Sequence, residues 1–184
     1  NAITFDDTDT DMQPDFVWLK NRDAADEHSL YDAVRGVTKY SVSNATDAEA
    51  TDASGGLTAF GSDGFTVGTS NTINTSSEKY VAWCWKAGTT SGITSTGADI
   101  VPSAYSFNTT SKFGIAAYTG NGTNPAAIAH ACAGGTAYPE FIILKCRDFA
   151  GREWLVYHEQ NTAAPETEHL ELMLTSATQD TAWS

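Results

Sequence analysis

The chain has 184 residues, 41% of them apolar and 11% aromatic, and a formal net charge of −13 with only 10 Lys and Arg. That apolar content excludes a disordered chain. The scarcity of cations excludes a nucleic-acid partner, because binding a phosphate backbone depends on Lys and Arg displacing its counterions. No apolar run reaches the roughly 18–20 residues of a membrane span, so no membrane insertion is expected.

Taken in chain order, the first feature is Asp7-Thr8-Asp9-Thr10-Asp11. Its alternate carboxylates make Asp7, Asp9 and Asp11 calcium candidates, calcium being bound through oxygen. An EF-hand loop would need Gly where Met12 stands and Glu where Trp18 stands, so a solvated acidic loop is the simpler reading and no cofactor is expected. Phe16 to Lys20 reads as a strand. Ala45 to Thr51 is the best helix candidate, a turn or two at most, and Ser62-Asp63-Gly64 is a turn signal.

In Lys79-Tyr-Val-Ala-Trp-Cys-Trp-Lys86 alternation puts Val81, Trp83 and Trp85 on one face and Tyr80, Ala82 and Cys84 on the other. With both faces apolar, a central strand between two layers is expected. Ala87 to Lys112, rich in Gly, Ser and Thr, reads as a connector in which Ile100-Val101 and Tyr105-Ser106-Phe107 could add a strand. Further strands are predicted over Phe113 to Tyr118, Phe141 to Lys145, Trp154 to Tyr157 and His169 to Leu174, with turns at Gly120-Asn121-Gly122 and Gly134-Gly135. Cys84, Cys132 and Cys146 have neither zinc spacing nor an even count, and read as buried or incidental thiols.

The chain also repeats itself. Pro14-Asp-Phe-Val-Trp-Leu-Lys-Asn-Arg-Asp23 returns as Pro139-Glu-Phe-Ile-Ile-Leu-Lys-Cys-Arg-Asp148, and Leu30-Tyr31-Asp32 answers Val156-Tyr157-His158 after a one-residue slip. A period near 125 residues suits a small β-domain rather than a solenoid unit. The fold class expected is all-β: tandem antiparallel β-sandwich modules, 1–110 with its connector and 111–184, the first lacking its start and the second its end, as in a window of a longer protein.

Little here points to catalysis. Glu166, Glu168 and Glu171 have the i, i+2, i+5 spacing of some laminarinase-like glycosidases, but Glu stands in the middle where Asp belongs, and the series has no counterpart in copy one, where the equivalent stretch is Thr38-Lys-Tyr-Ser-Val42. His28, His130, His158 and His169 accompany no nucleophile motif, and no phosphate or dinucleotide loop appears. The recurring pairs Lys20 with Arg22 and Lys145 with Arg147 could grip an anion; structural pairing, with Asp23, Asp148 or other neighbouring acids, is preferred. No enzyme is expected.

In order, the motif at Pro14 to Asp23, Leu30-Tyr-Asp-Ala-Val-Arg-Gly36, Leu57-Thr-Ala-Phe-Gly-Ser-Asp-Gly-Phe-Thr-Val-Gly68 and Tyr80-Val-Ala-Trp-Cys-Trp-Lys-Ala-Gly88 resemble a repeat module of bacteriophage tail-fibre and related virion proteins, common in marine and cyanobacterial phages. Phe113 to Thr123, Pro139 to Asp148 and Trp154 to His158 are similar to the module that follows it. The resemblance implies a concanavalin A-like or laminin G-like (jelly-roll) sandwich on a virion appendage, made in the host cytoplasm and assembled as a homotrimer or with other virion subunits. Host-surface attachment, with glycan as the ligand, is then the expected function. A structural spacer or decoration module that binds only its neighbours is the alternative, and a polysaccharide depolymerase a third. Trp18, Asp63 and Asn121 are the candidate ligand contacts, Trp18 as a stacking face and the others as polar groups on turns.

Overall fold

A computed structural model describes residues 1–5, 11–53, 55–130 and 138–180. The strands in chain order are β1 (Ala2–Thr4), β2 (Phe16–Asn21), β3 (Ser29–Asp32), β4 (Lys39–Val42), β5 (Ala50–Thr51), β6 (Leu57–Gly61) and β7 (Gly64–Val67). After the single helical turn α1 (Asn71–Asn74) come β8 (Tyr80–Trp85), β9 (Ala104–Asn108), β10 (Phe113–Ala117), β11 (Phe141–Leu144), β12 (Leu155–His158) and β13 (Leu170–Glu171). The fold is an all-β sandwich, with the named strands paired antiparallel.

The larger sheet has the order β5-β4-β3-β2-β8, and the sheet β1-β7-β6 covers one of its faces. Alternation along β2 sends Val17 and Leu19 inward, where they meet Tyr31 from β3, Leu57 from β6, Phe65 and Val67 from β7 and Ile73 from α1. Each such side chain, at most 4% exposed, contributes about 1.5–3 kcal/mol by leaving water. The Ser62-Asp63 turn closes the β6–β7 hairpin, and Gly64 beyond it has φ +130°. A Cβ there would lie 2.0 Å from the Ile3 carbonyl oxygen, so only glycine lets β1 pair along β7.

The meander of copy two pairs as that of copy one does. Phe16 faces Asp32, Val17 faces Tyr31 and Trp18 faces Leu30; at the matching positions Phe141 faces His158, Ile142 faces Tyr157 and Ile143 faces Val156. The order β11-β12-β13 thus reproduces β2-β3-β4. The one-residue slip in the sequence is absorbed between the strands, leaving the pairing register unchanged.

The division expected at 110/111 falls in the turn of the β9–β10 hairpin, where Asn108 pairs with Phe113. Contacts also cross it elsewhere. Trp154 Nε1 donates to the Val42 carbonyl at 2.8 Å, Glu49 N to the Arg147 carbonyl at 2.9 Å and Gly151 N to the Thr46 carbonyl at 3.0 Å.

Three local expectations are corrected. Ala45 to Thr51 is not helical: it runs as a loop into β5, because Glu49 is engaged by Arg35 and Arg147 and its backbone N–H by copy two. The strand expected from His169 to Leu174 is only β13, and a turn follows, with Leu174 N donating to the Glu171 carbonyl. β8 is an edge strand rather than a central one, and Trp83 and Trp85 are exposed.

Candidate functional site

Direct cross-strand partners share a face of a sheet. Along β2 and β8 those pairs are Phe16 with Trp85, Trp18 with Trp83 and Lys20 with Val81. Since Val17 and Leu19 point into the core, all six point outward. The ring centroids of Trp18 and Trp83 are 6.1 Å apart, and those of Phe16 and Trp85 5.4 Å, both edge-to-face. Phe113 of β10 stacks on Trp85 at 6.1 Å and 23° and meets Phe16 at 6.0 Å. These are the spacings of favourable aromatic pairs, so Trp18 braces Trp83, and Phe16, Trp85 and Phe113 brace one another. Trp83 is 45% and Trp85 38% exposed, so the two ring sets present an apolar aromatic platform on the outside of the sheet.

Trp18 is fixed further by its indole N–H, which donates to His28 Nδ1 at 3.0 Å. His28 accepts there only as the neutral tautomer carrying its proton on Nε2. Burial, then the nearby Lys20 cation, hold its pKa below the usual 6.5. The Lys20 ammonium itself is clamped by the Asn21 and Ala24 carbonyls at 2.6 and 3.1 Å.

Among the described residues the far edge of β8 is unpaired. Arg22 N donates to the Lys79 carbonyl at 2.7 Å, which sets the ladder phase: residues 79, 81, 83 and 85 turn their backbone polar groups toward β2. Tyr80, Ala82 and Cys84 turn theirs to an edge that no described strand pairs. The Cys84 side chain packs against the core, and burial pushes its thiol pKa up to about 11.

The three candidate contacts sit on three separate elements. Trp18 belongs to the platform. Asp63 lies on the β6–β7 turn of the other sheet, its Oδ1 buried and without a hydrogen-bond partner among the described residues. Asn121 is on the exposed loop after β10, where its Oδ1 accepts from Thr123 N at 3.0 Å. No hydrogen bond or ring contact joins them. Asp11 is exposed, while Asp7, Asp9, Cys132 and the Gly134-Gly135 turn lie outside the described residues.

The glutamate series does not share a strand: Glu166 lies on the 3₁₀ turn Pro165–Thr167, Glu168 follows it and accepts from the Thr162 hydroxyl, and Glu171 ends β13. The repeated lysines are structural, though not as expected. Lys145 Nζ donates to the Arg152 and Thr46 carbonyls at 2.6 and 3.2 Å, so both lysines clamp backbone rather than Asp23 or Asp148. Asp23 pairs instead with Lys79 at 3.7 Å, and Arg147 with Glu49 at 3.5 Å.

Sequence reasoning missed Trp83, Trp85 and Phe113 as surface groups. Alternation assigned Trp83 and Trp85 to one face, but nothing in a single strand tells whether that face is covered. Residues 3–184 match the model of a family described as Domain of unknown function (DUF7483), a match that spans both copies of the repeat. No curated protein and no solved structure matches the chain. By that near-complete match the chain belongs to the DUF7483 family.

Proposed function

We propose that the chain is a non-enzymatic binding module of a phage tail fibre or related virion appendage, and that the outer face of β2 and β8 attaches to host-surface glycan. The observation that carries this is the platform of Phe16, Trp18, Trp83, Trp85 and Phe113, with both edge-strand tryptophans open to solvent. Contiguous exposed aromatic patches on a folded chain mark interaction sites. The apolar C–H faces of a pyranose lie flat on such rings, and rings braced by their neighbours lose little entropy on binding. The virion setting rests on the sequence resemblance, and the homotrimer belongs to the same proposal.

The edge of β8, unpaired among the described residues, favours a second reading, in which the module is a spacer or decoration unit and a neighbouring virion subunit adds a strand there, covering the same rings. A glycan array and host-cell binding assay separates the two, run beside Trp18→Ala, Trp83→Ala and Trp85→Ala with oligomeric state followed by light scattering. Saturable glycan binding that falls about tenfold or more in the tryptophan variants is the expected result, as for aromatic hot spots. Absence of glycan binding, with self-association abolished by the same substitutions, would establish the spacer instead.

A further inference from the structure

A cleft of about 430 Å³ lies at the end of the sandwich where β2 begins, between Asp15, the loop after β3, the Gly88–Thr90 segment and β9. Asp15 is 2% exposed. One carboxylate oxygen, Oδ2, accepts from Ala87 N at 2.8 Å, and Oδ1 accepts from Gln13 Nε2 at 3.2 Å. A carboxylate offers about four acceptor positions, so among the described residues roughly half the capacity of Asp15 is unused. None of the ion pairs among the described residues reaches Asp15. A buried carboxylate with spare acceptor positions gains from a further donor.

The opposite wall carries a complementary group. Ser106, also 2% exposed, accepts from Gly88 N at 2.7 Å. Its hydroxyl oxygen is thereby engaged and its proton is left to donate. A fitting ligand must donate to Asp15 and accept from Ser106, which a hydroxyl group does and an ammonium, a donor only, does not. One carboxylate is also far short of the six to eight oxygen ligands of calcium. The volume lies near the lower end of the roughly 300–1,000 Å³ of small-ligand sites, enough for one sugar unit.

We propose that this cleft is a second binding site, for a single neutral sugar residue, in which Asp15 accepts from the ligand's hydroxyls while Ser106 donates to one of its oxygens. Asp15 precedes β2 on the side that alternation gives to Val17 and Leu19, whereas the aromatic platform is on the outward side.

The test is a ¹H–¹⁵N titration of the whole chain with glucose, galactose, mannose and N-acetylglucosamine, each to about 50 mM so that millimolar binding saturates. At least one sugar is expected to shift the amides of Gly88, Thr90 and Ser106 saturably. Asp15→Asn, which keeps the shape and an acceptor for Ala87 N, should weaken that binding about tenfold or more. Thr90→Phe, which fills the cleft without touching Asp15, should abolish it and decides the matter if Asp15→Asn loses its dispersed spectrum. No saturable shift with any of the four sugars, or shifts that survive both variants, would overturn the proposal. Shifts confined to the Trp83 and Trp85 indole N–H signals would overturn it too while upholding the aromatic platform.

Discussion

The meanders β2-β3-β4 and β11-β12-β13 share a sequence pattern and a pairing register, yet they differ in what lies against them. In copy one β2 is covered inside by β6, β7 and α1 and flanked by β8, and all seven buried core members fall between Val17 and Ile73. In copy two Ile142, Ile143 and Leu144 are half-buried and Phe141 is 54% exposed. Register, then, is a local property carried by the strands and their turns, whereas burial is supplied by neighbours. In copy one the meander is flanked by β8, whose outer face carries Trp83 and Trp85.

The sharpest way to break the comparison is at Arg35. Its guanidinium pairs with Asp32, donates to Ser41 Oγ at 2.7 Å and the Leu30 carbonyl at 2.8 Å, and lies 3.3 Å from Glu49. At the matching positions copy two has His158 and Asn161, and no such network joins them among the described residues. Arg35→Ala leaves Asp32, 4% exposed, as an uncompensated buried charge and is expected to cost about 3–5 kcal/mol in chemical denaturation. Asn161→Ala should cost less than about 1 kcal/mol.

Next come the paired leucines. Leu19→Ala opens a cavity in the shared core and should cost about 2–5 kcal/mol, while Leu144→Ala, at the same repeat position but half-buried, should cost about 1 kcal/mol. Equal losses at the two positions would mean that copy two is covered as fully in solution as copy one.

A smaller difference separates Asn21 from its counterpart Cys146. Asn21, 1% exposed, donates to Asp26 and Glu78, both at 2.6 Å, and accepts from Asp23 N and Ala24 N, which shapes the turn after β2. Cys146 is exposed. Asn21→Ala should cost about 1–3 kcal/mol and Cys146→Ala less than about 0.5 kcal/mol.

These residues also show what the sequence could and could not tell. Alternation located β2, β10, β11 and β12 to within a residue or so, because period two is local chemistry. The repeat foretold a shared meander. Whether a face is covered is not local, which is why Trp83 and Trp85 read as the middle of a sheet and lie at its edge. Arg35 and Glu49 were invisible as partners for the same reason: 14 residues apart, they meet only because β3, β4 and β5 fold side by side. Asp15 could have been noticed only as the acid preceding β2, a place where Glu140 of copy two stays exposed.

The smallest effect, and the most selective, depends on pH. His28 and Trp154 hold the same repeat position before β3 and β12. His28 accepts the Trp18 indole N–H, while Trp154 donates its own to the Val42 carbonyl, so only copy one has a titratable group there. The folded-state pKa of His28 lies below 6.5, first through burial and then through Lys20. Its contribution to stability is therefore fully present above 6.5, and is lost as the pH falls from there through the folded-state value, since the unfolded chain takes up the proton first. Once protonated, Nδ1 donates rather than accepts, and Trp18 loses its brace. Tryptophan emission followed from pH 8 down to about 5 should change in the native chain and change less in His28→Gln, where no imidazole titrates. Glycan affinity of the platform should fall over the same interval. A titration unaffected by His28→Gln would detach the platform from this imidazole and leave copy one no more pH-sensitive than copy two.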